Sequence, residues 1–321
     1  MRVLVTGASG LLGGAVATRL AAAGHRVRTF QRSPAGLAGI EDINGSVTDV
    51  EAVLAAVDGC DAVVHLAAKV SFAGELREFE AINIDGTNNL LTAARRAGVT
   101  RFVMVSSPSV AHAGSSLVGV GAEPADPERA RGHYARTKAS AELLALAQDS
   151  NSLSVVAVRP HIVWGPGDTQ LVARVVDRAS RHRLPLLDHG TALIDTTYID
   201  NAASAIVAAL ERATVAHGQA LVVSNGEPRP VAELIAGICA AAGVPAPAWR
   251  VPASAARLAG GVVERVWQVR RGQDEPPMTR FLAEQLSTAH WFDQRRTREV
   301  LDWRPEVSLD QGFERLARSY R

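Results

Sequence analysis

The sequence predicts an α/β protein built on a doubly wound parallel sheet, and three observations carry that prediction. A β-rich run, Arg2–Thr6, leads straight into a glycine-rich turn and then into apolar residues at helical spacing, Leu12, Val16 and Leu20. Short apolar runs go on alternating with helical patterns through the first half of the chain. With 47% hydrophobic and 21% charged residues among 321, the chain can bury a large core. Parallel neighbours need crossover helices, and right-handed crossovers place those helices on both faces, which is the Rossmann arrangement.

The elements follow in order. Gly24 stops the first helix, and His25–Phe30 reads as the second strand. Thr48 with Glu51 forms a capping-box pattern ahead of Val53 and Leu54. Ala62–Leu66 is a strand, a long helix ends near Gly98, and Arg101–Ser106 is the next strand. A helix begins near Tyr134, and Val155–Arg159 is again a strand. Beyond Pro160 the alternation loosens, and Gly and Pro punctuate shorter elements in WGPGD, GEPRP, GVPAPA and DEPP. We therefore expect a dinucleotide-binding core over residues 1–165 and mainly a substrate-binding lobe over 166–321, with some segments returning to the core.

Composition excludes several classes. The 34 basic and 33 acidic residues give no electrostatic reason to expect nucleic acid as a partner. Cys60 and Cys239 are far apart, so neither a disulfide framework nor a zinc cluster is indicated, and no metal-ligand spacing occurs elsewhere. The first residues run into a strand rather than a signal peptide, so a cytoplasmic protein is expected. Residues 251–269 are moderately apolar but interrupted by Arg257, Glu264 and Arg265. That pattern reads as an amphipathic surface helix able to touch a membrane interface, not as a spanning one. A homodimer is compatible with these features.

Three motifs carry chemistry. Gly7, Ser9, Gly10, Leu11, Leu12 and Gly13 lie between a strand and a helix, where glycines permit a tight turn and bring backbone N–H groups to a pyrophosphate. At the end of the second strand, where a carboxylate would hold the ribose hydroxyls of NAD, the chain has Gln31 and Arg32. A guanidinium there suits a 2′-phosphate, which favours NADP(H) and leaves NAD(H) second. Tyr134 and Lys138 stand four residues apart on one helix face, so the ammonium is expected to lower the phenol's pKa for proton transfer with a carbonyl oxygen. Ser107 follows a strand at its C-terminal end, where ligands bind in open parallel sheets.

With those residues in view, the whole chain resembles an extended short-chain dehydrogenase/reductase. The matching segments are TGASGLLG, HLAA, INIDGTNNL, VSSPSV, YARTK, RPHIVWGPGD, TTYIDNAASAI and FDQRRTREVLDWRPEVSLDQGF. Within that superfamily it is most similar to the 3β-hydroxysteroid dehydrogenase-like branch, including bacterial 2-alkyl-3-oxoalkanoate reductases. The resemblance implies hydride transfer between the nicotinamide and a secondary alcohol or ketone, with Ser107, Tyr134 and Lys138 as the catalytic triad. It also implies that Lys138 bonds the nicotinamide ribose, that Leu66, Ala67, Ala68 and Ser106 line the cofactor, and that Pro160, His161 and Ile162 border the nicotinamide. Gly45-Ser46-Val47-Thr48-Asp49 departs from the family's Gly-Asp pattern, so adenine contact falls to Ser46 and Val47. Asn83 matches a helix asparagine that supports the site, and a core helix hydrogen bond explains it equally. Lys69, Ser109, His161 and Trp164 are the candidate substrate contacts, although the family uses the backbone at the His161 position.

The expected function is interconversion of a 3-oxo and a 3-hydroxy group on an apolar acyl or sterol-like substrate. Two alternatives stand beside it. One is a nucleotide-sugar epimerase or dehydratase with tightly held NAD. The other is a non-catalytic dinucleotide-sensing protein, against which the intact Ser107, Tyr134 and Lys138 set argues.

Overall fold

The structure, a computed structural model, describes residues 1–71, 74–111, 114–269 and 279–321. Its centre is one seven-stranded sheet in which every neighbouring pair is parallel. The strands are β1 (Arg2–Thr6), β2 (Arg26–Gln31), β3 (Glu41–Asn44), β4 (Ala62–His65), β5 (Arg101–Val105), β6 (Ser154–Pro160) and β7 (Ala220–Val223). They lie in the order β7-β6-β5-β4-β1-β2-β3. The order reverses at β1, between β2 and β4, and a ligand crevice opens at such a switch point.

Apart from the edge strand β3, the strands alternate between two buried faces. Val3 and Val5 face a cluster with Val16, Leu20, Val64, Val103 and Val156, whereas Leu4 joins Phe30, Val53, Val63, Phe102 and Met104 on the other side. Helices α1 (Leu11–Ala22) and, later in the chain, α6 (Ile199–Glu211) cover the first face. The second is covered by α2 (Val50–Val57), α3 (Gly86–Arg96) and α4 (Gly132–Leu146). Continuous Val, Ile and Leu runs are what strands buried on both faces require.

The lobe has its own core. Trp164, Ile194 and Tyr198 pack there with α5 (Val172–Ser180), α7 (Val231–Ala242) and α11 (Leu309–Ser319). Residues after 165 also return to the sheet, since β7 extends its edge and α6 covers it. Helix α8 (Ala253–Val269) packs on α9 (Arg280–Ser287), and Gly260 is what lets them touch: a Cβ there would stand 2.6 Å from the Arg280 amide nitrogen. Ala253 and Ala256 are buried while Leu258 and Val262 are exposed, so α8 packs by one face and leaves apolar side chains on the other. Among the described residues no helix is long and apolar enough to cross a membrane. The DEPP segment, residues 274–277, lies outside the described residues.

One local reading is corrected, and one strand lies where the sequence shows no strand pattern. The cap of α2 is Asp49, whose carboxylate accepts from the Ala52 amide at 3.1 Å, so the helix starts one residue later than a Thr48 cap requires. Thr48 instead pairs its hydroxyl with that of Ser46 at 2.7 Å. Strand β3, Glu-Asp-Ile-Asn, has no apolar alternation, because it lies on the sheet edge and is held by its ladder to β2. Asp49→Ala should therefore cost about 1 kcal/mol of stability in urea denaturation, and Thr48→Ala clearly less. Equal losses would return the cap to Thr48.

Candidate functional site

The C-terminal ends of β1, β2 and β4 surround a cavity of about 640 Å³. Gly7, Ser9, Gly10, Arg32, Ser46, Val47, Leu66, Ala67, Ala68 and Lys69 all lie on its wall. The glycines are there for space. A Cβ on Gly7, whose φ is +77°, would come within 2.8 Å of the Ala67 nitrogen, and one on Gly13 within 2.2 Å of the Gly7 carbonyl oxygen. The close packing of Gly13 holds α1 with its N-terminus at the loop, and no acidic side chain occupies its first turn. The free amides and the helix dipole suit a pyrophosphate. Leu11 lies in an adjoining groove with Pro166 and Gly167, whereas the side chain of Leu12 packs into the core, leaving only its backbone for a ligand. A cradle that any Cβ would fill fits a dinucleotide, and so does the Ser106 hydroxyl, buried at the end of β5 with no partner among the described residues.

Arg32 is exposed on the rim of this cavity and, among the described residues, has no carboxylate partner. Gln31 beside it is buried and used at both ends: its carbonyl oxygen accepts from the Ala8 amide at 3.2 Å and its amide donates to Asp42. Asp42 also accepts from the Thr29 hydroxyl and the Ala35 amide, both at 2.8 Å. The carboxylate nearest this rim is thus consumed by the protein's own donors. Sequence reading noted Gln31 only as the place where a carboxylate is lacking and missed its link to Asp42, since that link joins two strands through an unpatterned edge.

Tyr134, Lys138 and Ser107 come together where α4 crosses the ends of β5 and β6. The Tyr134 phenol hydrogen-bonds with Ser107. Ser107 Oγ in turn accepts from the Ser109 amide at 3.3 Å and the Ser109 hydroxyl at 2.9 Å, so its own proton is the one it shares with the Tyr134 phenol oxygen. Lys138 is buried and donates from Nζ to the Val105 carbonyl at 2.7 Å. Four residues further along α4, Glu142 makes a bidentate pair with Arg159 of β6, at 2.9 and 2.5 Å, and Arg159 also donates to the Glu123 carbonyl at 2.7 Å. Both partners of this pair are buried.

The electrostatics correct one expectation. Burial pushes the Tyr134 phenol up to about 12, opposed by its bond to Ser107, and Lys138 is not among the causes. The expected depression is absent because the phenol is desolvated and the Lys138 ammonium is tied to Val105. Lys138 itself is pulled down to about 8 by burial, while the Glu142 charge draws it back up.

A buried polar chain joins the glycine loop to α4. Thr6 Oγ1 accepts from the Leu66 and Ala67 amides at 3.2 and 3.1 Å, so its own proton goes to His65 Nδ1, 2.8 Å away. His65 Nε2 then donates to the Thr87 hydroxyl at 3.0 Å, and that hydroxyl to the Asn83 carbonyl at 2.6 Å. The Asn83 side chain accepts from the Lys69 amide at 2.7 Å and donates to Thr137 Oγ1 at 3.0 Å. Asn83 lies in a π-helical turn, Glu80–Asp85, a distortion that frequently marks functional sites. Burial lowers His65 to about 3, with Lys138 adding to the effect, so the imidazole is neutral.

Other expected contacts fall elsewhere. The His161 ring is buried, donates from Nδ1 to the Asp195 carbonyl at 2.7 Å and packs edge-on against Phe292 at 4.9 Å, so a substrate role for its side chain is not borne out. Trp164 is core, bonded to Thr196 Oγ1 at 2.9 Å and stacked on Phe313. Lys69 is paired with Glu78 at 2.6 Å beside Phe79, and Ser109 acts through Ser107. Pro160 closes β6, and Ile162 follows in a left-handed conformation with φ +42°. Among the described residues no cluster of three His, Cys, Asp or Glu could hold a metal ion.

The chain is similar to known proteins along its length. The model of the NAD dependent epimerase/dehydratase family matches residues 3–224. A 2-alkyl-3-oxoalkanoate reductase of Stenotrophomonas maltophilia is 42% identical, over 99% of this chain and 99% of its own length. A 3 beta-hydroxysteroid dehydrogenase/Delta 5-->4-isomerase of Mycobacterium tuberculosis is 32% identical, over 97% of this chain and 88% of its own. Among solved structures, MoeE5 in complex with UDP-glucuronic acid and NAD superposes with a TM-score of 0.74 at 25% identity, covering 99% of this chain and 98% of that one.

The loop geometry has a direct test. Gly13→Ala sets a Cβ against backbone, so dinucleotide binding measured by fluorescence titration should weaken at least tenfold. Unchanged affinity would show that the helix end is not held by this contact.

Proposed function

The chain belongs to the NAD dependent epimerase/dehydratase family, and from that premise we propose that it is an NADPH-preferring reductase of a 3-oxo group on an apolar acyl substrate, of the 2-alkyl-3-oxoalkanoate kind. The observation that carries this reading is a protonated Tyr134 bonded to Ser107 just beyond the end of β5, with a cavity of dinucleotide size at the ends of β1, β2 and β4. The names of the relatives at 42% and 32% identity support the reaction class.

The reduced nicotinamide supplies the hydride. Ser107 donates a hydrogen bond to the ketone oxygen and orients it. Tyr134, kept protonated by burial, gives that oxygen its proton as negative charge develops there. Lys138, tied to the Val105 carbonyl one helical turn along, would hold the nicotinamide ribose, and Glu142 helps keep it charged. Ser109 fixes the Ser107 rotamer by donating to it. Arg32, free of intramolecular carboxylates, takes the 2′-phosphate of NADPH.

NADPH and NADH oxidation against 2-alkyl-3-oxo acids, 3-oxosteroids and UDP-hexoses tests the assignment. NADPH should be preferred on the oxo acids, Arg32→Ser should shrink that preference, and Tyr134→Phe should lower kcat by 10³ or more while cofactor affinity stays. Co-purified NAD with turnover of a UDP-hexose would overturn the reading in favour of a sugar epimerase.

The pH dependence has a definite sign. The ammonium of Lys138 is the working form and is populated below its value of about 8, so reduction should slow as pH rises through about 8. In Glu142→Gln the charge that raises Lys138 is gone, so this limb should move to lower pH. The same change leaves Arg159 buried without its partner and should cost about 3–5 kcal/mol of stability. A limb that stays in place would separate Glu142 from the lysine's titration.

A further inference from the structure

The core of the lobe contains an apolar cavity of about 50 Å³. Ile162, Ile194, Val175 of α5, Leu234 of α7 and Leu286 of α9 are among the residues that line it. No charged side chain lines it, and its two polar groups, the Trp164 indole N–H and the Thr196 hydroxyl, are bonded to each other at 2.9 Å. A cavity without spare donors or acceptors does not hold water, whereas an apolar guest fits.

Its place relative to the reacting groups comes from sheet register. Val105 of β5 stands beside Val158 of β6, so Ser107 lies level with Pro160 at the shared strand end. Two residues beyond Pro160 the chain turns through Ile162, at φ +42°. A β-branched residue in the left-handed region is a true outlier and persists only where its surroundings over-determine it. Here its carbonyl accepts from the Thr197 amide at 3.1 Å, and its side chain lines the cavity. The strain therefore places an isoleucine, where glycine would cost nothing, between the strand end that carries the chemistry and the apolar space behind it.

We propose that this cavity is the inner end of a subsite for an alkyl chain of the substrate, with Ile162 as its threshold residue. The inference rests on the ketone-reductase reading for its substrate and on the cavity for its chemistry. At about 50 Å³ the space is roughly a third of an apolar cavity that takes benzene, which leaves room for a few methylene groups. Affinity should then rise about fourfold for each methylene seated and level off once the cavity is full.

Two measurements separate the subsite from the reaction. In calorimetric titration of the NADP-loaded protein with saturated n-alkanoic acids of increasing length, affinity should climb about fourfold per carbon and then plateau. Val175→Phe, which fills the cavity, should bring the plateau at least one carbon earlier, and Leu234→Ala, which enlarges it, at least one carbon later. Ile162→Gly should flatten the dependence by removing the threshold. The same series of 2-alkyl-3-oxo acids, followed by NADPH oxidation, should show the same shifts in kcat/KM. Length-dependent binding that moves with these variants upholds the subsite even if no ketone is turned over, in which case it is the reductase reading that fails. A plateau that stays at the same length in Val175→Phe and Leu234→Ala overturns the proposal.

Discussion

The site depends on one neutral imidazole. His65 ends the strand next to β1, and its two nitrogens are spoken for by hydroxyls that belong to different parts of the machinery: Thr6 at the glycine loop and Thr87 on α3. A charged imidazole would have two donors and no acceptor, so the Thr6 proton would lose its place and the hydroxyl could no longer receive the Leu66 and Ala67 amides in the same geometry. Burial and the nearby Lys138 charge remove that form, with the ring's value near 3. A single tautomer then transmits a fixed geometry through Asn83 to Thr137, which lies between Tyr134 and Lys138. Cofactor loop and catalytic helix are thereby parts of one polar framework in which each buried group has its partner.

The same low-dielectric setting acts in opposite senses on the two titrating groups it holds. For Tyr134 desolvation disfavours the phenolate, which keeps a proton on the donor. For Lys138 desolvation disfavours the ammonium, and Glu142 with the Val105 carbonyl works against that loss. Glu142 cannot be a free carboxylate in such surroundings, so Arg159 neutralises it at bonding distance from β6. The arginine immediately precedes Pro160, so one ion pair anchors both the catalytic helix and the strand end that leads to Ile162. Replacing the pair by apolar residues could preserve the fold, but it would remove the negative end of the pair from Lys138.

What the sequence made legible was local. The glycine loop, the alternating strands and the Tyr134/Lys138 spacing each need only neighbouring residues to be recognised, and the structure brings Ser107, Tyr134 and Lys138 together. What it hid was set by contacts between distant segments. Glu142 meets Arg159, Gln31 meets Asp42 and Asn83 meets Thr137 only once the strands are ordered, and no periodicity announces these pairs. The sign of the Tyr134 shift failed for the same reason: spacing places an ammonium on the same helix face, but where Nζ bonds and how deeply the phenol is buried are tertiary facts. His161 was ambiguous in sequence because a histidine at a strand end looks reactive until its ring is seen committed to the Asp195 carbonyl.

In the proposed reading, acid–base chemistry and substrate choice are held by different parts of the molecule. Ser107, Tyr134 and Lys138 sit just beyond β5 and on α4, within the parallel sheet and its covering helices. The walls of the apolar cavity come largely from α5, α7 and α9, whose apolar residues share the lobe core with the segment after β6. That segment is pinned by a short parallel ladder of Val163–Trp164 with Thr197–Tyr198, and Tyr198 is fixed in turn by the Asn225 side chain, which accepts from its amide at 2.9 Å. The lobe core also packs on Leu11, Leu12 and Ala15 of α1, so this junction does not hold it alone. What the junction adds is direction: the left-handed Ile162 turns its side chain from the end of the sheet toward the lobe cavity, and the strain of that turn is stored where the two cores meet.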